Sequence, residues 1–420
     1  MNSIIFHVDV NSAFLSWEAA YRIHHLGAAL DIRSIPSVVS GNKELRHGII
    51  LAKSIPAKKF GIQTGEPIQS ALKKCPDLYT VPPHYNLYQK CSISFINLLK
   101  EYSPVIEQYS IDEAFIDVTP IITHYDNPFT LANIIRERIH RELGFTVNIG
   151  VSSNKILAKM ASDFQKPNRI HSLFPDEIQE KMWPLPVSDL FFVGRATLKK
   201  MPLLGIYTIG DLAKMNPTIL RQHLKKHGEV IWHFANGIDT SPVIASHPAN
   251  KGYGNSTTIA FDVTDRATAK EVLLALCETV GTRLRKHQVK IEVISIGIKS
   301  YDLHYQSHQI TLPSATNITK EIYQYTCQLF DELWDGTPIR HLGVHTNRVK
   351  DQDFMRQFHL FDHTDYTRYE TLDQTIDAIR QRFGKDAIKR ATFIDTPIDH
   401  LSGGISRDRQ SVDYSTLEII

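Results

Sequence analysis

The stretch Tyr109-Ser110-Ile111-Asp112-Glu113-Ala114-Phe115-Ile116-Asp117-Val118 constrains the fold of this chain more than any other. Two adjacent carboxylates stand between an apolar run, Pro104–Tyr109, and a segment in which Ala114, Ile116 and Val118 share one face and Glu113, Phe115 and Asp117 the other. That period is a strand's, and with the run before it predicts a β-hairpin with acid at its turn. Consecutive strand side chains point to opposite faces, so Asp112 and Glu113 converge on one ligand only if the backbone turns beside them. Ser110 is a suitable turn residue. A third acid, Asp9, ends an apolar strand, Ile4–Val10. If the two strands pair, three carboxylates meet at one edge with nothing basic beside them in sequence. Divalent cations neutralise such a cluster, and hard oxygen donors suit magnesium best.

At 420 residues the chain exceeds the size at which one core keeps growing, which predicts two to four domains. An apolar share of 42% and a charged share of 22% describe an ordinary globular protein, and a net charge of +2 does not by itself announce a nucleic-acid binder. The four cysteines, Cys75, Cys91, Cys277 and Cys327, have neither zinc-ligand spacing nor the density of a disulfide framework, as expected in a reducing compartment. Asp9 and Asn11 interrupt the first apolar run, so it is not read as a signal peptide, and no apolar stretch is long enough to span a bilayer. A cytoplasmic protein is expected. The 20 histidines include no HExxH or similar ligand spacing.

After the first strand, Asn11 or Ser12 can cap a helix that stops at Gly27. Strands are expected near Pro36–Val39 and His47–Lys53, then a short helix at Pro56–Phe60 closed by Gly61. The unit from about residue 28 to 74 is an insertion. Beyond it come a strand at Tyr79–Val81, a helix at Tyr85–Tyr102, the acidic hairpin, a helix over Leu131–Leu143, a strand at Phe145–Val151, and a helix capped by Ser152 or Ser153. Without the insert this order is a ferredoxin-like core with helices on one face. Phe6, Val8 and Val10 would meet the helices while His7 and Asp9 lie on the open side. Residues 171–240 hold short helices broken by glycine, with Gly194-Arg195, Gly205 and Lys225 at or near the turns, and resemble paired helix-hairpin-helix units. In such units backbone N–H groups approach phosphate closely, although small glycine-punctuated helices are also an ordinary structural solution. Pro242–Gly254 reads as a linker. A second α+β domain follows over about residues 255–350, with a basic patch at Arg285, Lys286 and Lys299 that is either a DNA contact or a solvated helix end. A helix at Leu372–Phe383 and polar ends complete a tail, 351–420.

Four motifs now align with a known family. Phe6-His7-Val8-Asp9-Val10-Asn11-Ser12-Ala13-Phe14, Ser110-Ile111-Asp112-Glu113-Ala114-Phe115, Gly150-Val151-Ser152-Ser153-Asn154-Lys155-Ile156-Leu157-Ala158-Lys159 and Lys166-Pro167-Asn168 resemble the Y-family, or translesion, DNA polymerases, in the family's order and spacing. The resemblance implies an α+β multidomain protein: a ferredoxin-like palm (1–27 and 75–170), inserted fingers (28–74), a helix-hairpin-helix thumb, and a little-finger domain after the linker. It implies that Asp9, Asp112 and Glu113 are catalytic and, with the carbonyl of Val10, hold two magnesium ions. It places Ala13, Phe14, Lys58 and Lys166 at the deoxynucleoside triphosphate, with Phe14 as the steric gate that excludes a 2′-hydroxyl. Where many members have Tyr-Glu-Ala-Arg, this chain has Ile55-Pro56-Ala57-Lys58, so a tyrosine contact is lost and a guanidinium fork becomes a point charge. Val10-Asn11 and Ala57-Lys58 look closer to the UmuC branch, which suggests SOS induction and mutagenesis.

Gln357-Phe358-His359-Leu360-Phe361 resembles the peptide by which bacterial polymerases dock into the sliding clamp, with Gln357 giving amide hydrogen bonds and Leu360 and Phe361 filling an apolar pocket. The expected function is low-fidelity, template-directed DNA synthesis in DNA repair and translesion synthesis by a monomer, unless an accessory subunit is required. The alternatives are a non-catalytic DNA-binding or clamp-associated scaffold and, from the palm alone, a nucleotide cyclase.

Overall fold

A computed structural model describes residues 3–41, 48–246, 249–356 and 364–401. These form two compact units, one within residues 1–247 and the other mainly within 248–410.

The first unit starts with β1 (Ile5–Val10) and α1 (Ala13–Leu26), which ends at Gly27 in the left-handed conformation, φ 67°. Ser12 occupies the N-cap position, but its φ of 49° gives no side-chain cap, contrary to expectation. The insert contains β2 (Ser37–Ser40), β3 (Ile50–Lys53), α2 (Ile55–Lys59) and α3 (Ile68–Lys74). β4 (Tyr79–Val81) pairs in parallel with β2, so the insert's sheet, β3-β2-β4, continues past the expected boundary at residue 74. Next come α4 (Tyr85–Lys100), β5 (Ile106–Gln108), β6 (Glu113–Asp117), α5 (Pro128–Arg138) with a π turn at Ile139–Leu143, β7 (Val147–Ser152), α6 (Lys155–Asp163) and β8 (Ile170–Ser172). The main sheet runs β5-β6-β1-β7-β8. Its first four strands have the ferredoxin-like order, and β8 is an addition that no alternation announced.

Phe6, Val8, Val10, Ala114, Ile116 and Val118 bury against Trp17, Tyr88, Phe95, Leu131 and Ile135 from α1, α4 and α5. Helices on one face only is corrected: α6 lies on the other face, where Ala158 packs on Ile5 and Phe115. Gly150 on β7 permits this, because a Cβ there would fall 1.9 Å from the carbonyl oxygen of Ala158. The cap of α6 is Asn154, not Ser152 or Ser153, its side chain accepting from the Leu157 N–H at 2.9 Å.

The unit continues through α7 (Ile178–Lys181), α8 (Arg195–Leu198), α9 (Ile209–Lys214), α10 (Pro217–Leu224) and α11 (Lys226–Ala235). α8 and α9 make one helical hairpin, with Gly205 at φ 70° in its connection and a Thr208–Asp211 capping box opening α9. α10 and α11 make the second, turning at Lys225 with φ 57°.

The second unit is a four-stranded antiparallel sheet, β11-β10-β12-β9, from β9 (Gly254–Val263), β10 (Val289–Ser300), β11 (Tyr305–Thr316) and β12 (Ile339–Asp351). α12 (Arg266–Lys286) and α13 (Thr319–Leu333) bury Leu273, Leu276, Val280, Ile322 and Phe330 against Ile294, Ile296 and Leu342 of the sheet. The expected tail is corrected. α14 (Tyr366–Phe383) packs on α12, and Phe393 and Ile398 join the core, so chain to about residue 400 belongs to this unit.

Candidate active site

β1 and β6 pair in antiparallel register with Asp9 opposite Glu113 and Val8 opposite Ala114. The backbone turn required beside the acids is present: the N–H groups of Tyr109 and Ser110 both donate to the carbonyl of Glu113, at 3.1 and 3.2 Å. The same turn lets the Val10 N–H donate to the carbonyl of Asp112 at 2.9 Å. Ser110 Oγ donates to Asp112 Oδ1 at 2.6 Å. Asp9, Val10, Asp112 and Glu113, far apart in sequence, therefore meet at one end of the sheet.

The lysines and histidine around the acids come from α6, from the segment after it, and from β1 itself. Lys159 Nζ donates to Glu113 Oε2 at 2.6 Å, and His7 Nε2 lies 3.1 Å from the same oxygen. Lys166 Nζ hydrogen-bonds to Asp9 Oδ2 and pairs with Asp163 Oδ1 at 2.8 Å. Burial pushes Asp112 above the usual carboxylate range; the Ser110 bond opposes this, and the charges of Asp9 and Glu113 add to it. Burial would also raise Glu113, but the His7 and Lys159 hydrogen bonds outweigh it and bring that carboxyl down to about 2. Burial disfavours the charged forms of Lys159 and Lys166, yet the carboxylates nearby win and raise both. His7 is fully buried, and chiefly for that reason its imidazole is held below its ordinary pKa.

Among the described residues, no group of three or more His, Cys, Asp or Glu side chains is placed to hold a metal ion as the rotamers stand. The donor set still fits a hard divalent cation. Asp9, Asp112 and Glu113 are oxygen donors from adjoining strand ends, and no described residue donates a hydrogen bond to Asp9 Oδ1 or Glu113 Oε1. Lys166, with a side chain 38% exposed, has Asp163 as a second carboxylate partner besides Asp9.

Ala13 is buried and opens α1. The half-buried Phe14 ring beside it stacks on Tyr88 with centroids 4.5 Å apart and planes at 12°. Lys166 is joined to the acids by a buried amide pair. Asn11 Nδ2 donates to Asn148 Oδ1 at 3.1 Å, while Asn11 Oδ1 accepts from the Asn168 N–H at 2.9 Å. Asn148 Nδ2 donates to the carbonyls of Ser162 and Gln165, so the loop around Lys166 is tied to β1 and β7 from both ends. Lys58 is exposed on α2 of the insert, beside Lys53.

Of the residues expected at DNA, Gly194 precedes α8, Arg195 and Lys225 are exposed at the helical hairpins, and Gly205 has the left-handed backbone of a tight turn. In the second unit Lys286 is exposed at the end of α12 and Lys299 is half-buried on β10. Arg285 is corrected: its side chain, 11% exposed, pairs with Asp373 at 3.0 Å and Asp377 at 2.6 Å on α14 and donates to the Asn317 carbonyl. It is committed to holding α14 and is not a free cation for phosphate. Gln357, Leu360 and Phe361 lie outside the described residues.

His7, Asn148, Lys159 and Ser162 were not singled out from sequence. The signal for Lys159 and Ser162 was there: positions 155, 159 and 162 form a polar stripe at helical spacing opposite Ile156, Leu157 and Met160.

Residues 8–163 match the impB/mucB/samB family, residues 250–360 that family's C-terminal domain, and residues 175–206 its HHH motif. A DNA polymerase IV of Clostridium acetobutylicum is 45% identical over 395 residues, covering 94% of this chain and 99% of the relative. A DNA polymerase IV of Acetivibrio thermocellus is 37% identical, covering 94% and 98%. DNA polymerase IV 2 of Bacillus subtilis is 35% identical, covering 93% and 94%. These relatives carry the polymerase IV name. A solved Y-family DNA polymerase chimera superposes with a TM-score of 0.72 at 24% identity, over 82% of this chain and 99% of the chimera, and shares the fold.

Proposed function

Because this chain belongs to the Y-family of translesion DNA polymerases and is a DNA-directed DNA polymerase, we propose that it extends a primer by two-metal nucleotidyl transfer at Asp9, Asp112 and Glu113. The observation that carries this reading is the β1–β6 register, which brings three carboxylates to one strand end. A magnesium pair in such a site lowers the pKa of the primer 3′-hydroxyl and stabilises the pyrophosphate leaving group. Asp9, Asp112, Glu113 and the carbonyl of Val10 would hold it.

The chain's own groups do the rest. Lys166, released from Asp9, reaches the triphosphate with Lys58, each as a point charge on phosphate oxygens. Phe14, backed by Tyr88, sits under the sugar and closes the space a 2′-hydroxyl needs. The helical hairpins with Gly194, Arg195, Gly205 and Lys225 hold the DNA backbone through N–H groups and cations, without reading sequence. Lys286 and Lys299 supply further phosphate contacts from the second unit. Gln357, Leu360 and Phe361 dock a sliding clamp. Lesion bypass, DNA repair and SOS-linked mutagenesis in the bacterial cytoplasm are the setting we assign, and no described helix is long and apolar enough to cross a membrane.

Primer extension by the purified chain with magnesium tests the chemistry. Asp9→Ala or Asp112→Ala is expected to abolish it while primer–template binding persists; synthesis at the parental rate by either variant overturns the assignment.

A further inference from the structure

The face of the sheet that carries the acids also holds His7. His7 precedes Asp9 by two positions, so both side chains point the same way; Asp9 faces Glu113 and His7 faces Phe115 across the ladder. His7 is thereby the diagonal neighbour of Glu113. Its imidazole is 0% exposed, rests on the Phe115 ring with centroids 4.7 Å apart, and is engaged at both nitrogens. Nε2 lies 3.1 Å from Glu113 Oε2, and Nδ1 lies 2.8 Å from Ser162 Oγ on α6. An aromatic hydrocarbon would fill the same space without the cost of taking two ring nitrogens out of water. The nitrogens therefore act through their hydrogen bonds.

Those bonds have a direction. With its proton on Nε2, His7 donates to Glu113 Oε2 at 3.1 Å beside Lys159 Nζ at 2.6 Å, and the Ser162 hydroxyl turns from the Lys159 carbonyl, 2.8 Å away, to Nδ1; no described residue donates to Oε1. Two donors converging on one oxygen fix the rotation of the carboxylate and leave its other oxygen aimed away from them. We propose that His7, backed by Ser162, is a positioning residue that holds Glu113 by Oε2 and so presents Oε1 to a divalent cation. This rests on the reading of Glu113 as a metal ligand and adds a residue that touches neither metal nor substrate. Partners of metal ligands elsewhere change metal affinity or activity about 10–100-fold when removed.

The test uses the full chain with a dideoxy-terminated primer–template and the matching nucleotide, titrated with Mn2+ and followed by loss of the free-ion paramagnetic resonance signal. Extension of an ordinary primer across a magnesium series runs alongside. His7→Phe keeps the ring and loses the donor: Mn2+ affinity is expected to fall about tenfold and the magnesium half-saturation to rise by a similar factor, with most of the rate recovered at high magnesium. His7→Gln, which retains an N–H donor, is expected to recover part of the affinity. If His7→Phe proves unstable, Ser162→Ala, which removes the support behind Nδ1, is expected to give a smaller shift in the same sense. Unchanged Mn2+ affinity in the folded His7 and Ser162 variants, with Glu113→Gln deficient in both assays, overturns the role of His7 and leaves the metal-ligand reading standing. Parental metal affinity in Glu113→Gln overturns the metal-ligand reading itself, and the proposal with it.

Discussion

Asp9 stands directly across the β1–β6 ladder from Glu113, and each carboxylate meets a lysine from beyond β7: Lys166 for Asp9 and Lys159 for Glu113. Asp112, beside them, has a serine hydroxyl and, among the described residues, no cation paired with it. The trio is thus electrostatically uneven, with two acids neutralised and one held at a cost.

That cost predicts a trade between stability and activity. Burial, then the charges of Asp9 and Glu113, raise Asp112 above its unfolded value, so its ionised form opposes folding at neutral pH. Asp112→Asn, which keeps an acceptor for Ser110, is expected to raise the thermal midpoint by about 2–4 °C while eliminating nucleotide incorporation. A lower midpoint at pH 7 would show that Asp112 is not strained by its charge.

Glu113 has the opposite sign. Its folded value, about 2, lies below the ordinary 4.5, so the stabilisation it gives is present above pH 4.5 and is lost as pH falls towards 2. In acid scans the parental chain is expected to lose stability over that window more steeply than Glu113→Gln. Parallel curves would remove the His7 and Lys159 bonds as the cause.

For Phe14, the stack on Tyr88 predicts a gate that is rigid from behind. Phe14→Ala is expected to raise relative use of ribonucleotides by about 100-fold, the scale of discrimination by pocket shape. Rates with ribo- and deoxynucleoside triphosphates, compared as kcat/KM ratios, check it.

Asn148 donates to two carbonyls and accepts from Asn11 and the Arg169 N–H. Asn148→Leu leaves these groups unpaired, and a loss of roughly 2–3 kcal/mol in denaturant unfolding is expected. Because the loop bearing Lys166 loses its tether, KM for the nucleotide is expected to rise as well.

Neighbouring cations on α12 should behave in opposite ways. Arg285→Ala strips the partner from Asp373 and Asp377 and is expected to cost roughly 3–5 kcal/mol of stability. Lys286→Ala is expected to leave the melting curve unchanged and to lower the salt slope of DNA binding by about one. Equal melting curves for the two variants would contradict the burial of Arg285.

What the sequence by itself determined is local. Alternation at Ala114, Ile116 and Val118 marked β6, apolar runs marked β1 and β10, glycines at positions 27 and 61 ended their helices, and the acids at the ends of two strands marked Asp9, Asp112 and Glu113 as a cluster. Such signals act over a few residues, through backbone preference and periodic burial, and are written in the chain directly. Only the tertiary structure decided that β4 joins β2, that α6 covers His7, that two amides tether Lys166, and that Arg285 is spent on α14. Each of these is a pairing between distant segments, and the 88 residues separating Arg285 from Asp373 leave no periodic trace. A charged side chain looks the same in sequence whether it awaits a phosphate or already holds a carboxylate; burial and the partner that folding delivers tell the two apart.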